Sequence, residues 1–286
     1  MNDWRYAKNI TIKNIKMIIS STRLYIVFLI VFCALYIFTD ELTNYLITDN
    51  VRIGVLELLP VFLNSRLTQL VIFLGWILLV SEIPFFTTNQ TNILIRTNRR
   101  AVMMGCVTYI ICLALFYILF LQLSTMVIVR FRNDIVLMEW SESFTNAARY
   151  GANMIGVRTN LVFDFGMVQK SIPIEIWSLQ VGIEILLFII VGLILLCGIL
   201  LREYYFIGYL FVIGLWAWDF IIVEFMKIEK LLWVSPVSMA KLSNLSFGNV
   251  ERGPSIIYTI VFDVVFIGML LIIGSKQIAV YDFSRE

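Results

Sequence analysis

Histidine is absent from this chain, and its absence removes the chemistries that need an imidazole: Ser-His proteolysis inside a membrane, HExxH zinc sites and haem held through histidine. No GxxxxGK[ST] run is present either, so the glycine-rich loop that cradles nucleotide phosphates is missing. The chain is therefore read as non-enzymatic, with no catalytic residues and no cofactor of its own. Cysteine is sparse and never paired as CxxC: Cys33, Cys106, Cys112 and Cys197 all lie in apolar runs and read as small hydrophobes, not as disulfides or metal ligands. No metal site is expected. The 22 Lys and Arg are spread along the chain without a basic stripe, which argues against nucleic acid as a partner. The start also lacks the short apolar core and small-residue cleavage site of a secretory leader, so insertion is expected to use the chain's own spans.

Charge is scarce as well. Asp, Glu, Lys and Arg make up 15% of the residues and hydrophobic residues 60%, where soluble domains average about 25% and about 45–50%. This is the composition of an integral membrane protein. A helix needs about 20 apolar residues to cross the hydrocarbon core, and six segments meet or approach that length: Leu24 to Phe38, Leu67 to Phe86, Ala101 to Val129, Ile176 to Leu201, Tyr204 to Phe225 and Ile256 to Gly274. The expected fold is all-α, a polytopic membrane protein with six transmembrane helices in a single transmembrane domain over residues 1–286. Lys and Arg in short loops favour the cytoplasmic side. With the N-terminus inside, that side receives Arg5, Lys8, Lys13, Lys16, Arg23, Arg96, Arg99, Arg100, Arg202, Lys276 and Arg285, and both termini are cytoplasmic.

The segments between spans have characters of their own. Residues 1–22 place Ile12, Ile15, Ile18 and Ile19 at helical spacing with Lys8, Lys13 and Lys16 between them, which reads as an amphipathic helix on the inner membrane surface or as an extension of the first span. Three outer segments exceed the about 12–15 residues above which loops are usually structured or functional: Thr39 to Arg66, residues 130–175 and residues 226–255. The middle one carries Phe131, Trp140, Phe144, Tyr150, Phe163 and Phe165. That much apolar surface is costly to leave in water, so an ordered extracellular cap between spans 3 and 4 is expected.

Three acids fall inside spans, where a carboxylate near the bilayer centre costs about 2.5–3.5 kcal/mol on insertion scales. Glu184, Asp219 and Asp263 all lie in the outer half of the membrane at 1.5 Å rise per residue and could line a polar pathway under the cap. Because the spans themselves hold no Lys or Arg to pair with them, the structural alternative is the stronger one: each sits near the interface, or bonds Gln180, Trp216 or Trp218.

The segment from Glu82 to Gly105 is a polar, arginine-bearing stretch between two spans. Pro84 breaks or kinks the second span, so TTNQTNILIRTNRR can run as a short helix along the membrane, offering Ile93, Leu94 and three arginines to a docking protein. A carboxylate at the end of span two, a threonine followed by an apolar run, an arginine-rich turn and a glycine opening span three resemble the permeases of ABC type-2 transporters. Those positions are Glu82, Thr91, Ile93 to Ile95, Arg96, Arg99, Arg100 and Gly105. SPVS, Ser235 to Ser238, looks like that family's re-entrant outer segment, and the six-span layout with an N-terminal surface helix extends the resemblance over nearly the whole chain. Pro84 to Thr88 depart from it, where many relatives have a charged, glycine-containing stretch.

The resemblance implies a permease subunit, homodimeric or paired with a related permease, bound to two cytoplasmic ABC ATPase subunits that hold ATP and Mg. The coupling loop, residues 86–100, would engage those subunits. Glu82, Thr91, Ile93, Leu94, Arg96, Arg99 and Arg100 are the implied coupling residues. In appearance the chain is most like small Gram-positive exporters of phenol-soluble modulins or bacteriocin-type peptides, which implies the bacterial cytoplasmic membrane and an amphipathic peptide substrate. Export of drugs, lipids or polysaccharide uses the same fold. Other readings are a membrane scaffold that recruits a cytoplasmic partner and a lipid transferase using Glu184, Asp219 or Asp263 with a metal.

Overall fold

The computed structural model describes residues 2–81, 98–130, 133–134, 138–151, 161–201, 206–221, 229–246 and 253–280. Helices account for most of them. In chain order they are α1 (Asn2–Ser20), α2 (Thr22–Thr48), α3 (Leu58–Asn64), α4 (Arg66–Val80), α5 (Arg99–Ile128), α6 (Glu142–Tyr150), α7 (Phe165–Lys170), α8 (Pro173–Leu200), α9 (Phe206–Phe220), α10 (Pro236–Met239) and α11 (Ile256–Val280). Short 3-10 turns at Glu229–Val234 and Leu242–Asn244 flank α10.

Among the described residues four helices are long and apolar enough to cross a bilayer: α2, α5, α8 and α11. A fifth span exists if α3 and α4 count as one, although they meet at 88°. Ser65 makes that break by adopting an extended backbone, φ −87° and ψ 129°. The described part of the Tyr204 to Phe225 segment is α9, only 15 residues, which spans about 22 Å at 1.5 Å per residue. Long apolar helices with this composition are those of a chain compatible with a membrane.

The first span differs from its expected limits. The apolar run ends at Phe38, but α2 continues to Thr48 because one buried stripe persists through Leu35, Thr39, Leu42 and Leu46 while Asp40 and Glu41 face outward. Helical periodicity outlasts hydrophobicity there.

α8 is the central helix: 83% of its apolar window is buried, against 28% for α2 and 17% for α11. Its Phe188 stacks on Trp76 of α4 with ring centroids 4.9 Å apart and lies 5.5 Å from Tyr117 of α5. Trp76 Nε1 donates to the Phe188 carbonyl at 2.9 Å, and Tyr117 Oη donates to the Ile72 carbonyl at 2.9 Å. Around this centre α2, α9 and α11 turn large apolar side chains outward, among them Leu29, Ile37, Leu210, Val261 and Ile272. Helices apolar on nearly every side suit lipid surroundings.

α1 is a separate helix, cut from α2 at Ser21, whose backbone is extended. It lies beside α5 in a constant register: Asp3 accepts from Asn98 at 3.2 Å, Thr11 donates to the Gly105 carbonyl at 3.0 Å, and Ile18 and Ile19 border Tyr109 and Phe116. This side-by-side packing runs over about four turns, from Asp3 to Ile19. Gly105 permits the approach. A Cβ there would meet Ile10 Cγ2 at 2.9 Å and the Ala7 carbonyl at 3.1 Å. The packed stripe is Ala7, Thr11, Asn14 and Ile18, while Ile12 and Ile19 are exposed with Trp4.

The segments flanking Glu57 fold together. Two-residue strands β1 (Ile53–Gly54) and β2 (Asn133–Asp134) pair in parallel, a small departure from an all-helical chain. The Glu57 carboxylate accepts from Gly54 N at 2.9 Å and from Ser141 N and Oγ, each at 2.6 Å. Trp140, Phe144 and Phe163 cluster, and Trp140 Nε1 donates to the Ser171 carbonyl at 2.7 Å. The described parts of residues 130–175 are thus packed onto α3 and its approach; Phe131 lies outside the described residues.

Candidate functional site

Near the far end of the bundle from Arg99, polar side chains collect where apolar helices would be expected to hide none. α8 contributes Gln180 and Glu184, four residues apart and hence on one helix face. α11 contributes Thr259 and Asp263 at the same spacing, α9 contributes Asp219, and α3 contributes Asn64. All six are buried. The segment from Ser235 to Leu245 packs among them, with Ser235, Val237, Ser238, Met239, Ala240, Leu242 and Leu245 fully enclosed. Ser235 caps α10 by accepting from Ser238 N at 3.2 Å.

Two sets of hydrogen bonds stitch that segment to the helices. Asp219 Oδ2 pairs with Lys241 Nζ at 2.8 Å, and Ser238 Oγ donates to Asp219 Oδ1 at 2.5 Å. Both charges are almost entirely removed from solvent, at 1% and 4% exposed. Beside them, Gln180 Nε2 donates to the Ala240 carbonyl at 2.7 Å, and Gln180 Oε1 accepts from Asn64 Nδ2 at 2.9 Å and Leu242 N at 3.4 Å. Ser243 N closes the ring by donating to Asn64 Oδ1 at 3.0 Å.

The three acids therefore separate into two kinds. Asp219 is structural, but its partners are Ser238 and Lys241, not Gln180, Trp216 or Trp218. The cation that the spans lack is supplied by a connecting segment, a pairing invisible to any count of charges within spans. Glu184 and Asp263 are different. Neither Glu184 oxygen has a hydrogen-bond partner, nor does Asp263 Oδ1, and Gln69 of α4 is buried with both polar atoms unbonded. Lys241 and Asp263 are close enough for their charges to act on Glu184. A carboxyl buried without hydrogen-bond partners costs about 1–3 kcal/mol or more, and Glu184, with both oxygens unbonded, carries that cost. We expect Glu184→Leu to raise stability by about 1–3 kcal/mol, measured as the midpoint of SDS unfolding in mixed micelles. A fall in stability would mean that Glu184 has partners in the membrane.

Among the described residues no three His, Cys, Asp or Glu side chains are grouped so as to hold a metal, and all four cysteines are free thiols. Of the implied coupling residues, Glu82, Thr91, Ile93, Leu94 and Arg96 lie outside the described residues. Arg99 and Arg100 open α5 and are exposed. Asn98 caps that helix, its side chain accepting from Arg100 N at 3.3 Å. Sequence reasoning missed Asn64, Lys241 and Glu57 as polar nodes, although Lys241 follows SPVS by only three residues. No protein-family model matches the chain, and neither a curated protein nor a solved structure does.

Proposed function

We propose that this chain is the membrane-embedded permease subunit of an ATP-driven ABC exporter, working in the bacterial cytoplasmic membrane with both termini inside. It moves amphipathic peptides outward with ATP hydrolysed on two separate cytoplasmic ATPase subunits. The observation that supports this reading best is the convergence of two elements set 95 residues apart in sequence: the start of α1 touches the start of α5, through Asp3 and Asn98. The basic N-terminal helix and the arginine turn entering α5 thus form one surface at one end of the bundle. A partner bound there would grip two helices at once. Under this reading Glu184 and Asp263 are retained for the transport pathway despite their cost, and a second permease copy completes it.

Co-expression with the candidate ATPase and reconstitution in lipid tests the proposal. ATP turnover is expected to rise when amphipathic peptide is added, and Arg96→Glu/Arg100→Glu is expected to abolish that rise. Association without stimulation would overturn the peptide assignment. Failure of any ATPase to associate would overturn the transporter reading in favour of a scaffold.

A further inference from the structure

A cleft of about 720 Å³ opens between the first turns of α5 and the last turns of α11, on the side of α5 away from α1. It lies at the opposite end of the bundle from the acidic site. Its rim is cationic: Arg99 and Arg100 from α5 and Lys276 from α11, all exposed. Among the described residues no acidic side chain lines it, and none of these three cations has an ion-pair partner. Its walls are largely apolar: Met103 and Met104 lie one turn in from Arg100 and Leu271 and Ile272 one turn in from Lys276, toward the middle of the bundle, while Ile278 and Ala279 extend the apolar wall past Lys276 to the helix end.

That order of chemistry selects an occupant. A small soluble anion would be satisfied by the rim and would leave the apolar walls empty. An amphiphile with a negative head and hydrocarbon tail fits both, provided the head stays where the helices end and the tail runs inward. The helix ends of a spanning bundle are where the headgroup layer lies, and cations in that layer attract anionic lipid. The volume suits a headgroup, glycerol and the first methylenes of a chain, within the range of about 300–1,000 Å³ of ordinary ligand sites. We infer that the Arg99–Arg100–Lys276 cleft is a binding site for an anionic phospholipid of the adjoining leaflet. The inference concerns the chain alone and does not depend on the transport reading.

Native mass spectrometry of the full-length chain in detergent, titrated with dioleoyl phosphatidylglycerol or dioleoyl phosphatidylcholine, tests it. The anionic lipid is expected to bind tighter than the zwitterionic one by roughly tenfold, and Arg99→Gln/Arg100→Gln/Lys276→Gln is expected to remove that difference. The three side chains are exposed, so their loss leaves the core intact. Ile272→Trp, which fills the apolar wall without touching charge, is expected to weaken the anionic lipid as well. Lys8→Gln/Lys13→Gln/Lys16→Gln on α1 is expected to leave the preference in place. Equal binding of the two lipids would overturn the inference, as would an equal loss from the α1 variant, which would reveal bulk charge attraction. Displacement of the lipid by millimolar inorganic phosphate would also overturn it, in favour of a soluble-anion site.

Discussion

Asp219→Ala is expected to destabilise the protein by about 3–5 kcal/mol, the usual cost of leaving one member of a buried ion pair uncompensated. Lys241 is 4% exposed and its ammonium is bonded to Asp219 Oδ2 at 2.8 Å. Without the carboxylate, that charge has no route to water short of pulling its own segment out of the bundle. Loss should therefore be local first: backbone amides from Ser235 to Leu245 are expected to exchange with solvent faster than those of α8, a difference that hydrogen exchange reads directly. Asp219→Leu combined with Lys241→Met removes both charges and is expected to recover most of the stability, since buried pairs replaced by apolar residues are often neutral or better. If Asp219→Ala cost less than about 1 kcal/mol, the pair would have to be solvated, and the anchoring role assigned to it would fail.

Trp76→Ala is expected to cost about 3–5 kcal/mol, the range for removing a large aromatic from a packed core. The indole is fully buried at the meeting of α4, α5 and α8, with ring centroids 4.9 Å from Phe188 and 5.9 Å from Tyr117. In lipid the helices gain little from hiding apolar area, so close packing and interhelical hydrogen bonds hold them together; a void at this junction removes contacts from three helices at once. Trp76→Phe separates the two contributions. It keeps an aromatic ring but loses the bond from Nε1 to the Phe188 carbonyl, and about 1 kcal/mol is expected. SDS unfolding in mixed micelles measures both. Similar costs for the two variants would show that the hydrogen bond, not the packing, holds the junction.

The helical spans were legible because hydrophobicity alone marks them: the apolar runs underlying α5 and α8 coincide with helices to within three residues, and α11 starts where its run starts but outlasts it by six. Their limits were less so. α2 extends ten residues past its apolar run because tertiary contacts hold a single stripe, Thr39 to Leu46, that no hydropathy window would admit beside Asp40 and Glu41. The break at Ser65 was equally hidden, since LLPVFLNSRLTQL has no residue that must end a helix after Pro60. Within the candidate site, the acids stood out individually by their cost in a membrane. Their partners did not, because Asp219 meets Lys241 across a chain separation of 22 residues and Asn64 meets Gln180 across 116. Pairings of that kind are set by helix packing, not by local pattern.

Composition and periodicity, which act through solvent and the local backbone, determined by themselves that this is a mostly helical chain with apolar runs long enough for a membrane, without histidine chemistry or a phosphate-binding loop. Which of its buried charges are satisfied is a matter of distance between helices, so only the tertiary structure decided that Asp219 is locked by Lys241 while Glu184 and Asp263 stand without that support. The same holds for the cleft between α5 and α11. Lys276 lies 176 residues beyond Arg100, and with Arg99 the three become one cationic rim only because the start of α5 and the end of α11 meet at the same end of the bundle.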